Sequence, residues 1–312
     1  MDSLSTKRVC VTGGTGFLGS HIMDKLHEHG CLDVVVPRHS DYDLRRREEV
    51  CAMYCDLAPD IVIHAAASCG GIMACSSNHG RYLYDNLTMG IELIEGAREF
   101  AVEKFIALSS VCAYPRDVEI PAKEENLWNG YPEITNSAYG ISKRVLLTAC
   151  QAYRKQYGLN AIGLIPVNLY GPRDTFDPAR SHAVAALIWK CMEAQKNGTD
   201  LAVWGTGAAS REFMYAEDCA EAIVLATENY NGDEPVNIGT GIETTIKELV
   251  SLITELTAYQ GLVKWDNSKP DGQPRRLFDV SRSEEFGFKA KTSLREGLKR
   301  TIEWYKCSNL GK

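Results

Sequence analysis

The chain has no excess of positive charge, no CxxC pair, no long apolar run and no internal repeat, and each absence removes a class of function. Its 34 Lys and Arg residues are outnumbered by 41 Asp and Glu, for a net charge of −7. A field of that sign opposes general binding to nucleic acid or to an anionic membrane surface, so any anionic ligand needs a local basic pocket. The 11 cysteines are scattered, and the closest, Cys51/Cys55 and Cys69/Cys75, lack the paired spacings of a zinc site. Free thiols in a reducing compartment and no metal are expected. No uninterrupted apolar stretch approaches the ~18 residues that suggest a membrane span. The polar Met1 to Thr6 leads straight into a strand-like segment and does not read as a signal peptide, so a cytoplasmic protein is expected. What is present is average: 312 residues, 45% hydrophobic and 24% charged, enough for one large domain or two and incompatible with disorder.

The first half alternates strand and helix. Val9-Cys10-Val11, Val34-Val35-Val36, the stretch from Asp60 to Ala67, that from Lys104 to Ser110, and Ala161 to Ile165 read as strands. Helical patterns follow Gly19 and cover roughly 44–57, 86–100 and 139–157. Continuous apolar strands alternating with helices imply a parallel sheet buried on both faces. Beyond Val167 the rhythm loosens into loops rich in Gly, Pro and Arg, with helices near 181–195, 217–229 and 244–257 and a turn cluster from Pro270 to Pro274.

Gly13, Gly16 and Gly19 form GxxGxxG at the end of the first strand. Glycine there permits the tight turn, the approach of backbone to a pyrophosphate and close helix–strand packing, while the helix N-terminus offers free N–H groups. Alone such a triplet is weak; opening a βαβ unit, it reads as dinucleotide-binding. An acidic residue would be expected to end the second strand in an NAD enzyme, but here the chain reads Pro37-Arg38-His39-Ser40. Arg38 suits a 2′-phosphate, favouring NADP, although Asp41 is near enough to keep NAD open. Asp43 and Leu44 are placed to meet the adenine, and Ala65 and Ala66 to let backbone pass close to the cofactor.

Tyr139-Gly140-Ile141-Ser142-Lys143 puts a phenol and an ammonium one helical turn apart. The ammonium would favour the phenolate and so fit Tyr139 to exchange a proton with a carbonyl or hydroxyl oxygen. Ser110 ends the fourth strand, where ligands bind in open α/β sheets. Cys112, two residues on, would face the same side if the segment were extended. It is a core residue on one reading and a thiolate acid–base group on another.

Ser110, Tyr139 and Lys143 resemble the triad of the short-chain dehydrogenase/reductase superfamily, in its extended, nucleotide-sugar-modifying branch. The segments Ala65 to Ile72, Ser110 with Cys112-Ala113-Tyr114-Pro115, and Asn168 to Pro172 further resemble the GDP-L-fucose synthase family. So do Ser181-His182, Val203 to Gly207, Arg211-Glu212-Phe213 and Ser268 to Gly272. The likeness runs the length of the chain. It implies an α/β fold, with a Rossmann-type doubly wound parallel sheet and a smaller mixed C-terminal substrate domain. Residues 1–167 would form the NADP-binding domain, with 214–238 crossing back to it, and 168–213 and 239–312 the substrate domain. It implies epimerisation of GDP-4-keto-6-deoxy-D-mannose at C3 and C5 and reduction at C4 with NADP(H), in a homodimer paired through the helices near 86–100 and 139–157.

Carried over by position, Cys112 and His182 would exchange the C3 and C5 protons, Ser110 and Tyr139 would hold the C4 oxygen, and Lys143 would bind the nicotinamide ribose. Phe17, Leu18, Asn86, Pro166, Asn168, Leu169 and His182 join the glycine loop as implied cofactor contacts. Val111, Asn168, Arg180, Trp204, Arg211, Lys269 and Asp271, with Ser110 and Cys112, are the implied substrate contacts. Two departures stand out: Thr15 where the family often has arginine, and Ser-Val-Cys where it has Ser-Ser-Cys. The absence of an acidic residue beside Ser110 argues against a dehydratase. Sister activities stay open, such as reduction without epimerisation or formation of GDP-colitose or GDP-rhamnose. A dinucleotide-sensing regulator is disfavoured by the intact Tyr139/Lys143 pair.

Overall fold

The computed structural model describes residues 4–71, 77–177, 180–269 and 271–309. Ile72, Cys75 and Pro270, which belong to motifs named above, lie outside them. In chain order the elements are β1 (Arg8–Thr12), α1 (Phe17–Glu28), β2 (Asp33–Val35), α2 (Arg47–Leu57), β3 (Ile61–His64), α3 (His79–Glu99) and β4 (Lys104–Leu108). They continue through α4 (Ser137–Tyr157), β5 (Ala161–Pro166), β6 (Asn168–Tyr170), α5 (Ala183–Asn197), β7 (Leu201–Trp204), β8 (Ser210–Tyr215), α6 (Ala216–Asn229) and β9 (Val236–Ile238). The chain closes with β10 (Glu243–Thr245), α7 (Ile246–Thr257), β11 (Val263–Asp266), α8 (Ser281–Glu285) and α9 (Leu294–Asn309).

β2-β1-β3-β4-β5-β9 form one sheet in that order, with every neighbouring pair parallel. Strands β1, β3, β4 and β5 are buried almost throughout, as a parallel sheet covered on both faces requires. One core packs Val9, Val11, Ile61, Ile63, Ile106 and Leu164 against α1 and α6. The other packs Cys10, Val62, Phe105 and Ala107 against α2, α3 and α4. The alternation of side chains along each strand divides them between these two cores.

The stretch expected to be loop and helix after Val167 contains further strands. β10-β8-β6 form a three-stranded sheet, with β10 antiparallel and β6 parallel to β8, and β11 pairs in parallel with β7. These strands are three to six residues long, too short to impose a clear hydrophobic period. A third core of Tyr170, Val184, Ile188, Phe213, Leu249 and Ile302 gathers around them. β9, after α6, returns to the parallel sheet beside β5.

The chain order reverses at β1, with β2 on one side and β3 on the other. In open α/β sheets the ligand crevice lies at such a switch point, outside the carboxyl ends of the strands.

Candidate active site

At the switch point the loop after β1 and the loop after β3 touch. Gly13 sits at φ +73°, and a Cβ there would lie 2.8 Å from the backbone N and Cα of Ala66. A Cβ on Gly19 would come 2.0 Å from the carbonyl oxygen of Gly13. Only glycine fits either position, and the result is a backbone cradle at the start of α1. Gly16 caps that helix without a side-chain bond, so its first N–H groups stay available to an anion. Phe17 and Leu18 are the first residues of α1, with Phe17 edge-on to His21.

Arg38 is exposed just beyond β2, and no ion pair engages its guanidinium among the described residues. Asp43 is different: its carboxylate takes a fork from Arg45, Nε to Oδ1 at 2.8 Å and Nη2 to Oδ2 at 2.7 Å. Those bonds hold the acid well below the usual carboxylate range. Arg45 extends the chain to Asp85 at 3.1 Å, and Asp85 accepts the Ser68 hydroxyl at 3.0 Å. Asn86 completes it, accepting from Ser68 N at 3.0 Å and donating to Ser68 O at 2.8 Å and Tyr82 O at 2.6 Å. The side chain of Asn86 therefore pins the 65–71 loop. Leu44 is packed in the core beside Val50 and Met53.

The acid–base groups meet at the ends of β4 and α4. β4 stops at Leu108, and the expected extended path through Cys112 is not followed. Val111–Ala113 is a single 3-10 turn capped by Ser110, whose Oγ accepts from Cys112 N at 3.2 Å. A serine at this kind of cap competes with the ladder for the backbone, which ends the strand. α4 lies directly on the turn, because Gly140 leaves no Cβ to strike the Cys112 carbonyl. Tyr139 and Lys143 share the face that results, with Lys143 Nζ 5.6 Å from the phenol ring centroid. The same ammonium donates to Leu108 O at 2.9 Å, and burial lowers it to about 8. Behind it, His64 is fully buried with Nδ1 2.9 Å from Thr12 Oγ1, and burial lowers it to about 3, so it stays neutral. Val111 is buried in the core, but its carbonyl accepts Arg276 Nη1 at 2.7 Å.

His182 begins α5 as its N-cap residue. Its carbonyl bonds Ala186 N at 2.8 Å while its ring makes no capping bond. The imidazole is solvent-accessible yet set among protein atoms, and this partial desolvation lowers its pKa. The 65–71 loop reaches the same place: Gly71 N donates to Arg180 O at 3.1 Å, and a Cβ on Gly71 would lie 2.5 Å from Ser181 O. The Arg180 side chain is paired locally with Asp177 at 3.1 Å.

Two lysines lie over an exposed aromatic in the second half of the chain. Trp204, 49% exposed, has Lys190 Nζ 5.2 Å and Lys269 Nζ 5.8 Å from its ring centroid. Asp271 accepts Thr206 N at 2.7 Å and Thr206 Oγ1 at 2.8 Å, fixing the 205–207 turn beside it. Arg211 Nη1 donates to Ser210 O at 2.7 Å and Gln273 O at 2.6 Å. Asn168 Nδ2 donates to Glu212 O at 2.9 Å, while Pro166 and Leu169 line the end of β5 and the start of β6. Lys190 and Arg276 were not singled out in the sequence. Their partners are more than ten residues away, and no local spacing marks them.

A glycine cradle at the switch point, a Ser/Tyr/Lys cluster at the end of β4 and a basic, aromatic rim define a dinucleotide-dependent epimerase or oxidoreductase. The model of the NAD dependent epimerase/dehydratase family matches residues 9–239. The chain belongs to that family and, within it, to the GDP-L-fucose synthases. It is 41% identical over 300 residues to the probable GDP-L-fucose synthase 1 of Oryza sativa subsp. japonica, covering 96% of this chain and 92% of that protein. To the GDP-L-fucose synthase of Sinorhizobium fredii it is 42% identical over 301 residues, with 96% of each covered. Among solved structures, a GDP-L-fucose synthetase from Naegleria fowleri bound to NADP superposes with a TM-score of 0.90 at 28% identity, covering 97% of this chain and 96% of that one.

Proposed function

We propose that this chain epimerises GDP-4-keto-6-deoxy-D-mannose at C3 and C5 and reduces it at C4, giving GDP-L-fucose. It is an NADP-dependent oxidoreductase and epimerase. The residues present fit the cofactor. A cradle that any Cβ would fill leaves room for a pyrophosphate on the N–H groups of α1, and the exposed Arg38 is free for a 2′-phosphate. When bound, NADPH supplies a hydride. Lys143 would hold the nicotinamide ribose.

The observation that carries the reading is the 3-10 turn after β4. It presents Ser110 and Cys112 together beneath Tyr139 and Lys143, with His182 on the loop that Gly71 contacts. A C4 ketone acidifies the hydrogens on C3 and C5. Cys112 sulfur takes one such proton: the C–H bond breaks, an S–H bond forms, and the electron pair moves into the enolate oxygen. Return of a proton from the imidazolium of His182 on the opposite face inverts the centre. Ser110 and Tyr139 hydrogen-bond the C4 oxygen throughout, which stabilises the enolate and, as the ketone is reduced, lets Tyr139 give the oxygen its proton. Trp204 would stack on the guanine, and Arg211, Lys190 and Lys269 would meet the diphosphate. This local pocket answers the wrong sign of the overall charge.

Two further readings accompany it. The enzyme works in the cytoplasm. It works as a homodimer through α3 and α4, whose exposed Tyr84, Ile91 and Val145 offer apolar surface for a second copy. Cys112→Ser in D2O tests the chemistry. It should stop deuterium entry at C3 and C5 while sparing some direct C4 reduction, and Tyr139→Phe should lose the reduction. Native-rate deuterium entry at both carbons in Cys112→Ser would remove Cys112 from the mechanism.

A further inference from the structure

One polar side chain bonds the sulfur of Cys112 and another holds the backbone beside it, and no short-range pattern reveals either. Asn136, at the N-terminal cap of α4, donates from Nδ2 to Cys112 Sγ at 3.3 Å. Its Oδ1 is buried with no hydrogen-bond partner. Arg276 arrives from a distant part of the chain, after the turn that ends at Pro274. It is only 8% exposed, and its Nη1 donates to the carbonyl of Val111, the residue before Cys112, at 2.7 Å. Its Nη2 is buried with no hydrogen-bond partner.

A buried guanidinium with an unused donor, and a buried amide with an unused acceptor, both cost stability. Something must offset that cost or the arrangement must serve another end. The charges that face this point are few. Burial works against the charge of Arg276 most of all, Arg211 opposes it too, and Cys112 and Glu133 are the groups whose charge would favour it. Glu133 is already engaged by Arg116 at 3.4 Å. Cys69, on the loop after β3, faces both Cys112 and Lys143. The two side chains therefore converge on the turn that carries Cys112, Arg276 through the Val111 carbonyl and Asn136 on the sulfur itself.

We propose that Asn136 and Arg276 are positioning residues for Cys112: the amide orients its sulfur, and the guanidinium, anchored on the adjoining Val111 carbonyl, fixes the turn that aims that sulfur at the sugar proton. The base is thereby built from three separate stretches of chain, at 110–113, 136 and 276. The role rests on the function proposed above, but the presentation of the sulfur can be read without any sugar.

The test is the rate of iodoacetamide alkylation of Cys112 at pH 7, followed by mass spectrometry of its peptide, with the peptide of the exposed Cys55 on α2 as internal reference. The reaction needs the sulfur presented to the reagent, so its rate reports how the two residues hold it. Asn136→Ser and Arg276→Met should each slow Cys112 about tenfold, roughly 1.4 kcal/mol at 25 °C. They should leave Cys55 unchanged, and Arg276→Lys should recover most of the rate. With the keto-sugar in D2O, kcat for deuterium entry should fall in step while KM holds. A native Cys112 rate in folded Asn136→Ser overturns the proposal, even if Arg276→Met fails to fold. If alkylation slows as stated but the wild type does not turn over the keto-sugar, the function proposed above falls and the positioning role stands.

Discussion

Gly140→Ala isolates the contact that assembles the site. An added Cβ would lie 2.3 Å from the Cys112 carbonyl oxygen, 3.0 Å from its carbon and 3.2 Å from Pro132 Cβ. An ordinary carbon–oxygen contact is about 3.3 Å, so α4 and the 3-10 turn must part by about 1 Å. The obstacle is backbone and cannot rotate aside. Two effects on stability oppose each other. Alanine gains about 1 kcal/mol of helix propensity over glycine, and overpacking costs about 1–3 kcal/mol. The net loss should be small, about 1 kcal/mol, and the protein should remain folded. Activity has no such compensation. Tyr139 and Lys143 ride on α4 while Ser110 and Cys112 ride on the turn, and a misplacement of about 1 Å costs on the order of 100-fold in rate. Thermal melting and NADPH oxidation with the keto-sugar measure the two quantities on the same preparation. A variant that keeps more than about a third of the native rate would refute the claim that this contact sets the catalytic geometry.

Other perturbations separate the cofactor site from the scaffold. Arg38→Ala should raise KM for NADPH about tenfold or more, the loss of a charge-assisted contact, and leave KM for NADH unchanged; equal effects on both would remove Arg38 from the 2′-phosphate. Asn86→Ala removes three hydrogen bonds to the backbone of Ser68 and Tyr82 and should cost about 2 kcal/mol by denaturant titration, with weaker NADPH binding as the 65–71 loop loosens. Asp174 is buried, its Oδ2 has no hydrogen-bond partner, and burial raises its carboxyl to about 7. Because the folded state holds this proton more tightly than the unfolded chain, the contribution is intact below about pH 4 and is lost as pH rises toward 7. Asp174→Asn should therefore gain about 3 kcal/mol on the wild type between pH 5 and pH 8, and a constant difference across that range would contradict the burial argument.

The first half of the fold was legible because its strands are apolar throughout and its helices amphipathic, so each element carries its own signal. Alternation of the two, with glycines at 13, 16 and 19, points to a parallel sheet with a nucleotide cradle at its switch point. The second half was less legible. Leu201–Trp204 and Val263–Asp266 pair across some sixty residues, and neither four-residue strand announces itself alone. Cys112 shows the same limit at a single residue. Its identity pointed to chemistry, but the turn that carries it depends on the cap at Ser110 and on α4 pressing from above. Leu44 packs in the core and Asn86 bonds the 65–71 loop, placements that their local sequence does not show. Asn136, Lys190 and Arg276 reach the site only through tertiary packing.

The most direct measurement is the sugar formed by the wild-type protein from GDP-4-keto-6-deoxy-D-mannose and NADPH in D2O, identified by NMR. The account predicts GDP-L-fucose carrying deuterium at C3 and C5 and protium, from NADPH, at C4. A reduced product with protium retained at C3 and C5 and the D-configuration intact would contradict it.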